Sequence, residues 1–205
     1  MAMIKKRSHH EHSEKKSYIH WNYFLALESD LAQVSRYIEF SESNFRTYSI
    51  ELVRLLLAAS SEVDVVIKGV CKYLDQEAQA ENINDYRAII KRELPEFTEE
   101  SVEIPRFNLT LQPWSKWQQN RSPRWWKSYN NVKHERNEHF SEANLKNTLN
   151  AMGGLLVSVF YYYKLKFISE GEGINDNRDV TSKLGASLGF LTMRDDYYHA
   201  VLALE

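Results

Sequence analysis

The chain has 205 residues, 43% of them hydrophobic and 26% charged, with a formal net charge of −2. That length and usage suit one globular domain with attachments and exclude collagen-like, mucin-like and wholly disordered chains. The charge excludes a globally basic nucleic-acid binder and leaves room for a local basic patch.

One cysteine, Cys71, allows no intrachain disulfide and no Cys-rich metal site. The start of the chain is polar, and its most apolar stretch, Leu155 to Tyr163, is too short to span a bilayer. A soluble, cytoplasmic protein is expected.

Residues 1–17 hold five cations and three histidines and read as a solvated, flexible tail. Trp21, Phe24, Leu27, Leu31, Val34 and Ile38 recur every three or four residues and predict a helix over 20–40. Leu52, Leu56, Ala59, Val63, Val66, Val70 and Tyr73 keep that spacing and predict a long helix over 45–75. Cys71 lies beside this stripe as a small buried hydrophobe. Glu62, Asp64 and Lys68 flank it and read as a helix-surface ion-pair group. A short helix over 84–93 stops before Pro95.

The period then changes. Phe107, Leu109 and Leu111 alternate with polar residues after Val102 and Ile104, which predicts two short extended pieces or a hairpin. Ser122 as N-cap and Pro123 as first helical residue open a helix running to His134. A polar turn follows over 135–140. Ser141 is the expected cap of the last long helix, with Phe140 stapled onto Leu145. Its stripe is Leu145, Leu149, Met152, Leu156, Val159 or Phe160, and Tyr163. Gly153 and Gly154 within it point to a close helix–helix approach. Beyond Lys166 the chain turns acidic, and Leu184, Ala186, Leu188, Phe190 and Thr192 alternate as in a strand or hairpin. The expected fold is all-α: an antiparallel helical bundle over 18–168 with small β additions near 101–111 and 182–192. An acidic extension, 169–205, packs on it.

The chemistry concentrates in Gln112–Arg136. Lys116, Arg121, Arg124, Lys127, Lys133 and Arg136 face one acid there, Glu135, among Trp114, Trp117, Trp125 and Trp126. Interleaved cations and aromatics suit phosphate neutralisation with base stacking; the alternative is that the rings are core and the cations a solvated face. Asn130 and His134, four apart, share a helix face. Asn can orient a phosphate or hydroxyl, and His can exchange a proton near pH 7. Arg136 and His139 follow within reach. A metal site from His134, His139 and Glu138 matches no zinc spacing, and neither a phosphate-cradling Gly loop nor a nucleophile elbow is present. No metal and no cofactor is expected.

The run Tyr129-Asn130-Asn131-Val132-Lys133-His134, followed by an amphipathic helix, resembles the signature of the HEPN superfamily. These are helical-bundle domains of prokaryotic toxin–antitoxin, abortive-infection and CRISPR-associated systems, whose ribonuclease motif is often Arg-Asn-x-x-x-His. The resemblance spans residues 45–165. Asn130 and His134 match the Asn and His positions, whereas Tyr129 stands where Arg would hold the scissile phosphate, and Tyr carries no positive charge. The resemblance implies a metal-independent endoribonuclease working as a homodimer. His134, Asn130 and Arg136 would be catalytic, and Lys133, Arg124, Lys127, Tyr129 and Trp126 would bind RNA. A cognate antitoxin or defence-system protein would be its partner. The missing Arg equally implies a non-catalytic HEPN-like module that binds RNA, a nucleotide or a protein.

Overall fold

The structure, a computed structural model, describes residues 17–198; all but the last residue of the tail read over 1–17, and the last seven residues of the chain, lie outside the described residues. In chain order come α1 (Ile19–Val34), α2 (Ile50–Leu74), α3 (Ile83–Glu93) and the hairpin β1 (Val102–Ile104) and β2 (Leu109–Leu111). Then follow α4 (Ser115–Gln118), α5 (Arg124–His134), α6 (Arg136–His139), α7 (Leu145–Ser169) and α8 (Asn177–Leu184). The fold is an all-α bundle with a small β addition. No helix among the described residues is long and apolar enough to cross a membrane.

The two long helices form the centre. The α2 stripe from Leu52 to Val70 is buried along its whole length, with Cys71 beside it. Each buried Leu or Val contributes about 1.5–3 kcal/mol. On α7 burial extends beyond the expected stripe to residues on every side, including Ala151, Leu155, Val157 and Tyr161. A helix apolar all round is a core helix rather than an amphipathic one. α1 runs antiparallel to α2, since Asp30 pairs with Arg54 and His20 with Glu62. α2 and α7, however, run in the same direction. Thr148 Oγ1 donates to the Leu52 carbonyl near both helix starts, and Gly69 lies against Tyr162 near their ends. This departs from the expected antiparallel arrangement. The long crossover between them, residues 75–144, makes the parallel pairing accessible.

Helix ends differ from expectation for local reasons. α2 begins at Ile50, where Ser49 Oγ accepts from Leu52 N at 3.2 Å. The five residues before it, which follow the 3-10 turn Glu42–Asn44, form a turn and the bridge of Tyr48 to Asn144. Asn144, not Ser141, caps α7: its Oδ1 accepts from Asn147 N at 3.1 Å. Phe140 meets Tyr48 edge-on at 5.8 Å, and Ser141 lies inside a 3-10 turn. Pro123 is the cap of α5 rather than its first residue. Residues 102–111 do form an antiparallel hairpin, Val102 opposite Leu111.

The close helix–helix approach expected at this pair is found at Gly154, where α5 meets α7 through an indole; Gly153 faces the hairpin instead. A Cβ on Gly154 would sit 2.9 Å from Cζ2 of Trp125, and one on Gly153 would meet Leu111 and Val102 at 3.5 Å. The glycines admit an indole and the hairpin against α7.

Beyond α7, α8 opens with an Asp176–Asp179 capping box. Leu184 belongs to this helix, and of the alternating run only Thr192 pairs, in a single bridge with Glu103. The segment is tied down at three points. Leu191 N donates to the Glu28 carboxylate on α1 at 2.8 Å. Tyr197 stacks on Phe160 at 5.1 Å. The hydroxyls of Tyr197 and Tyr161 both donate to Oε1 of the buried Glu100 at 2.5 Å.

Two outcomes test this packing. Gly154→Ala is expected to destabilise the fold by about 1–3 kcal/mol through overpacking against Trp125. Gly153→Ala should be neutral or stabilising by up to about 1 kcal/mol. Urea unfolding of both variants compares them, and equal losses contradict the arrangement. Burial pushes the Cys71 thiol up to about 12, so iodoacetamide near pH 8 should label the native chain only as fast as it unfolds. Prompt labelling of folded protein contradicts that burial.

Candidate functional site

α5 has an inner face of rings and an outer face of cations. Trp125, Trp126, Tyr129 and Val132 are buried. An aromatic chain continues inward from them. Tyr129 packs on Trp126 at 5.4 Å, Trp126 on Trp125 at 5.7 Å, Trp125 on Trp114 at 5.1 Å, and Trp114 on Trp117 at 4.3 Å. Trp125 Nε1 donates to the Pro113 carbonyl and Trp114 Nε1 to that of Gly154. The four tryptophans of the basic window are therefore core. Neither Trp126, 7% exposed, nor Tyr129, 6% exposed, offers a free ring face to a base.

Outward, Arg124, Lys127, Lys133 and His134 are exposed, with Asn130 and Asn131 half-buried among them. At ~100° per residue, Lys127, Asn130 and His134 fall within about 60° of one another. The expected sharing of a face by Asn130 and His134 follows from this geometry. The Asn130 amide, however, donates to its own helix, to the Trp126 carbonyl at 3.0 Å. Lys133 Nζ lies over the Tyr129 ring at 5.4 Å, so a cation covers the position where the resemblance expects Arg. Arg136 is exposed on α6, just past His134. Arg124 sits ten residues before His134, about 15 Å away along the axis. The expected residues thus form one group at the end of α5 and a separate cation at its start.

A polar cluster not anticipated from sequence fixes the turn after α5. Glu142 accepts from Asn131 Nδ2 at 3.1 Å and lies 2.8 Å from His139 Nδ1. Asn147 Nδ2 donates to Ser128 Oγ at 3.0 Å and to the Glu142 carbonyl at 2.8 Å. Desolvation, the largest single influence, pushes the Glu142 carboxyl up. Hydrogen bonds from Asn131, Ser128 and His139 outweigh it and hold the group below the ordinary carboxylate range. His139 Nε2 also faces Glu135 at 3.4 Å. Glu135, Glu138 and His139 bring ligand atoms within 4.8 Å of one another and are the residues that could hold a metal. This set differs from His134, His139 and Glu138, because His134 projects from α5 and not from α6.

On the other side of the start of α5 lies a groove of two adjoining cavities. One, about 420 Å³, is lined by Arg46, Arg124, Lys146 and Glu42. The other, about 370 Å³, is lined by Lys116 with the same Arg124 and Lys146. Arg46 and Lys146 carried no sequence signal, since neither belongs to the basic window.

Some cations elsewhere are paired with carboxylates, whereas among the described residues Arg36, Lys72, Arg87 and Arg106 are not. Arg54, Lys68, Arg92, Arg178 and Arg194 each have a carboxylate within 3.1 Å. Lys68 pairs with Asp64, as read from sequence. Among the described residues, Arg46, Lys116, Arg124, Lys127, Lys133, Arg136 and Lys146 have no such partner.

No family model, curated protein or solved structure matches this chain.

The lowered carboxyl of Glu142 makes a signed prediction. Its stabilisation is complete above the ordinary Glu range, near 4.3, and is lost as pH falls through the lower folded-state value. Glu142→Gln should cost about 1 kcal/mol at neutral pH and flatten the acid limb of the stability–pH curve. An unchanged acid limb contradicts the assignment.

Proposed function

We propose that the chain is a HEPN-like RNA-binding module that contacts RNA through the outer face of α5 and the turn after it. The carrying observation is the run Lys127, Lys133 and Arg136, exposed and without carboxylate partners. Unpaired surface cations held on a rigid helix can neutralise phosphates without first breaking ion pairs. Asn130 and His134 on the same face supply polar atoms for a phosphate or a 2′-hydroxyl. The buried Tyr129 places no guanidinium at the motif position, and the Asn130 amide is spent on its own helix. Both features favour binding without cleavage. The reading implies a cytoplasmic protein, a symmetric homodimer, and a cognate antitoxin or defence-system partner.

One observation favours a second reading. His134 is exposed one turn from Asn130, and Lys133 covers Tyr129. In that reading His134 takes the 2′-hydroxyl proton, the 2′-oxygen attacks the adjacent phosphorus, and the P–O5′ bond breaks. The departing 5′-oxygen takes a proton from solvent water, leaving a 2′,3′-cyclic phosphate, and His134 later returns its proton to solvent. Lys133 and Arg136 would stabilise the charge on the phosphorane.

Fluorescence anisotropy with single-stranded RNA tests the first reading. Lys127→Glu, Lys133→Glu and Arg136→Glu together should weaken binding at least about tenfold. The wild-type salt slope should be about 0.7 per neutralised phosphate. Affinity unchanged by the triple variant refutes the assigned face. Incubation in EDTA decides between the readings. Intact RNA is expected, whereas cyclic-phosphate ends made by wild type and not by His134→Ala would install the second reading.

A further inference from the structure

We infer that the groove between the 42–46 turn and the starts of α5 and α7 binds the phosphate of a nucleotide, either free or at the end of an RNA strand. This does not rest on the outer face of α5; it uses other side chains, Arg124 at the start of that helix among them.

Charge comes first. Arg46, Arg124 and Lys146 line one cavity against a single carboxylate, Glu42. That imbalance matches a phosphate monoester, which carries close to two negative charges at neutral pH. Arg46 and Arg124 bring guanidinium forks suited to bidentate phosphate contacts. Lys146 lies over the Phe45 ring at 5.3 Å, which holds its ammonium at the cavity wall. The first residues of α5 and α7 add the positive ends of two helix dipoles. The main-chain N–H groups opening α7 are already used. Leu145 N donates to the Thr47 carbonyl, Lys146 N to that of Phe45, and Asn147 N to Asn144 Oδ1. The anion is therefore held by side chains.

Space and polarity then extend the ligand beyond a bare phosphate. The neighbouring cavity shares Arg124, Lys146 and Asn147 with the first, so the two adjoin there. Its volume, about 370 Å³, is in the range of small-molecule sites. Gln112, Ser115 and Asn150 line it with amide and hydroxyl groups, and Lys116 adds a further cation. The Asn150 amide donates to the Lys146 carbonyl at 2.9 Å, which turns one side of that amide inward on its helix and leaves its oxygen as an acceptor. A phosphate at the Arg46–Arg124–Lys146 end therefore has room beside it for a ribose and base, with hydrogen-bonding partners for both.

The test is calorimetric titration of the full chain near neutral pH with adenosine 5′-monophosphate, adenosine and inorganic phosphate. Two RNA octamers, one 5′-phosphorylated and one 5′-hydroxyl, complete the set. The nucleotide should bind at least about tenfold more tightly than adenosine. Arg46→Gln with Lys146→Gln should weaken it by a similar factor, with the far-UV circular dichroism unchanged. Both residues are exposed, so the fold should survive. Preference for the 5′-phosphorylated octamer over its 5′-hydroxyl twin assigns the groove to strand ends; equal affinity with retained nucleotide binding assigns it to free nucleotide. Equal or absent binding of nucleotide and nucleoside overturns the inference, as does nucleotide affinity indifferent to the double variant. If RNA binds and the nucleotide does not, only the groove falls. If the nucleotide binds and RNA does not, only the RNA reading falls.

Discussion

The contact of Trp125 with Gly154 is the constraint on which the arrangement of the region around α5 depends. The indole lies so near the α7 backbone that a methyl group could not be added there without displacement. From that contact the rings of Trp126, Tyr129, Trp114 and Trp117 extend in a continuous packed series. Aromatic burial of this extent fixes both the position and the rotation of α5. The rotation decides what solvent meets. With the rings inward, Lys127, Asn130, Lys133 and His134 can only face out. The tryptophans thus orient a cationic face and present no free ring of their own to solvent.

Electrostatics then divides the surface. The chain as a whole is slightly acidic, and many of its cations are consumed in ion pairs such as Arg54 with Asp30 and Arg92 with Asp75. Exposed pairs of that kind contribute little to stability, but they cancel the local field. Around α5 and the start of α7 the cancellation is missing, as it also is at Arg36, Lys72, Arg87 and Arg106; what differs here is the number of such cations close together. The Glu142 cluster matters here for a second reason. It ties Asn131, His139 and the opening of α7 together, so the turn carrying Arg136 is held by hydrogen bonds rather than by cations paired with acids.

Much of the helical core was legible in the sequence because period alone reveals it. The stripe from Leu52 to Val70 sits at helical spacing, and burial of its residues follows. The shared face of Asn130 and His134 was legible for the same reason. Caps were less so: Ser122 and Ser141 are sound capping residues, yet Pro123 and Asn144 occupy those positions, since tertiary contacts such as the Tyr48–Asn144 bridge choose among neighbouring candidates. The alternation after Leu184 misled because α8 ends there at Gly185, in left-handed conformation, and irregular chain follows. The glycine pair announced a close approach, but its partner, an indole from another helix, is a tertiary fact. Arg46 and Lys146 were invisible for that reason too. They come from distant parts of the chain, and only the parallel course of α2 and α7 brings the two helix starts to one groove.

Lysine acetylation with and without saturating single-stranded RNA, read residue by residue by mass spectrometry, tests the central claim most directly. Lys127 and Lys133 on α5 should be protected by RNA. Lys72, exposed near the far end of α2, should react equally in both samples. Protection of Lys72 with Lys127 and Lys133 left reactive would contradict the account, because RNA would then be held on the end of the bundle away from the cationic face.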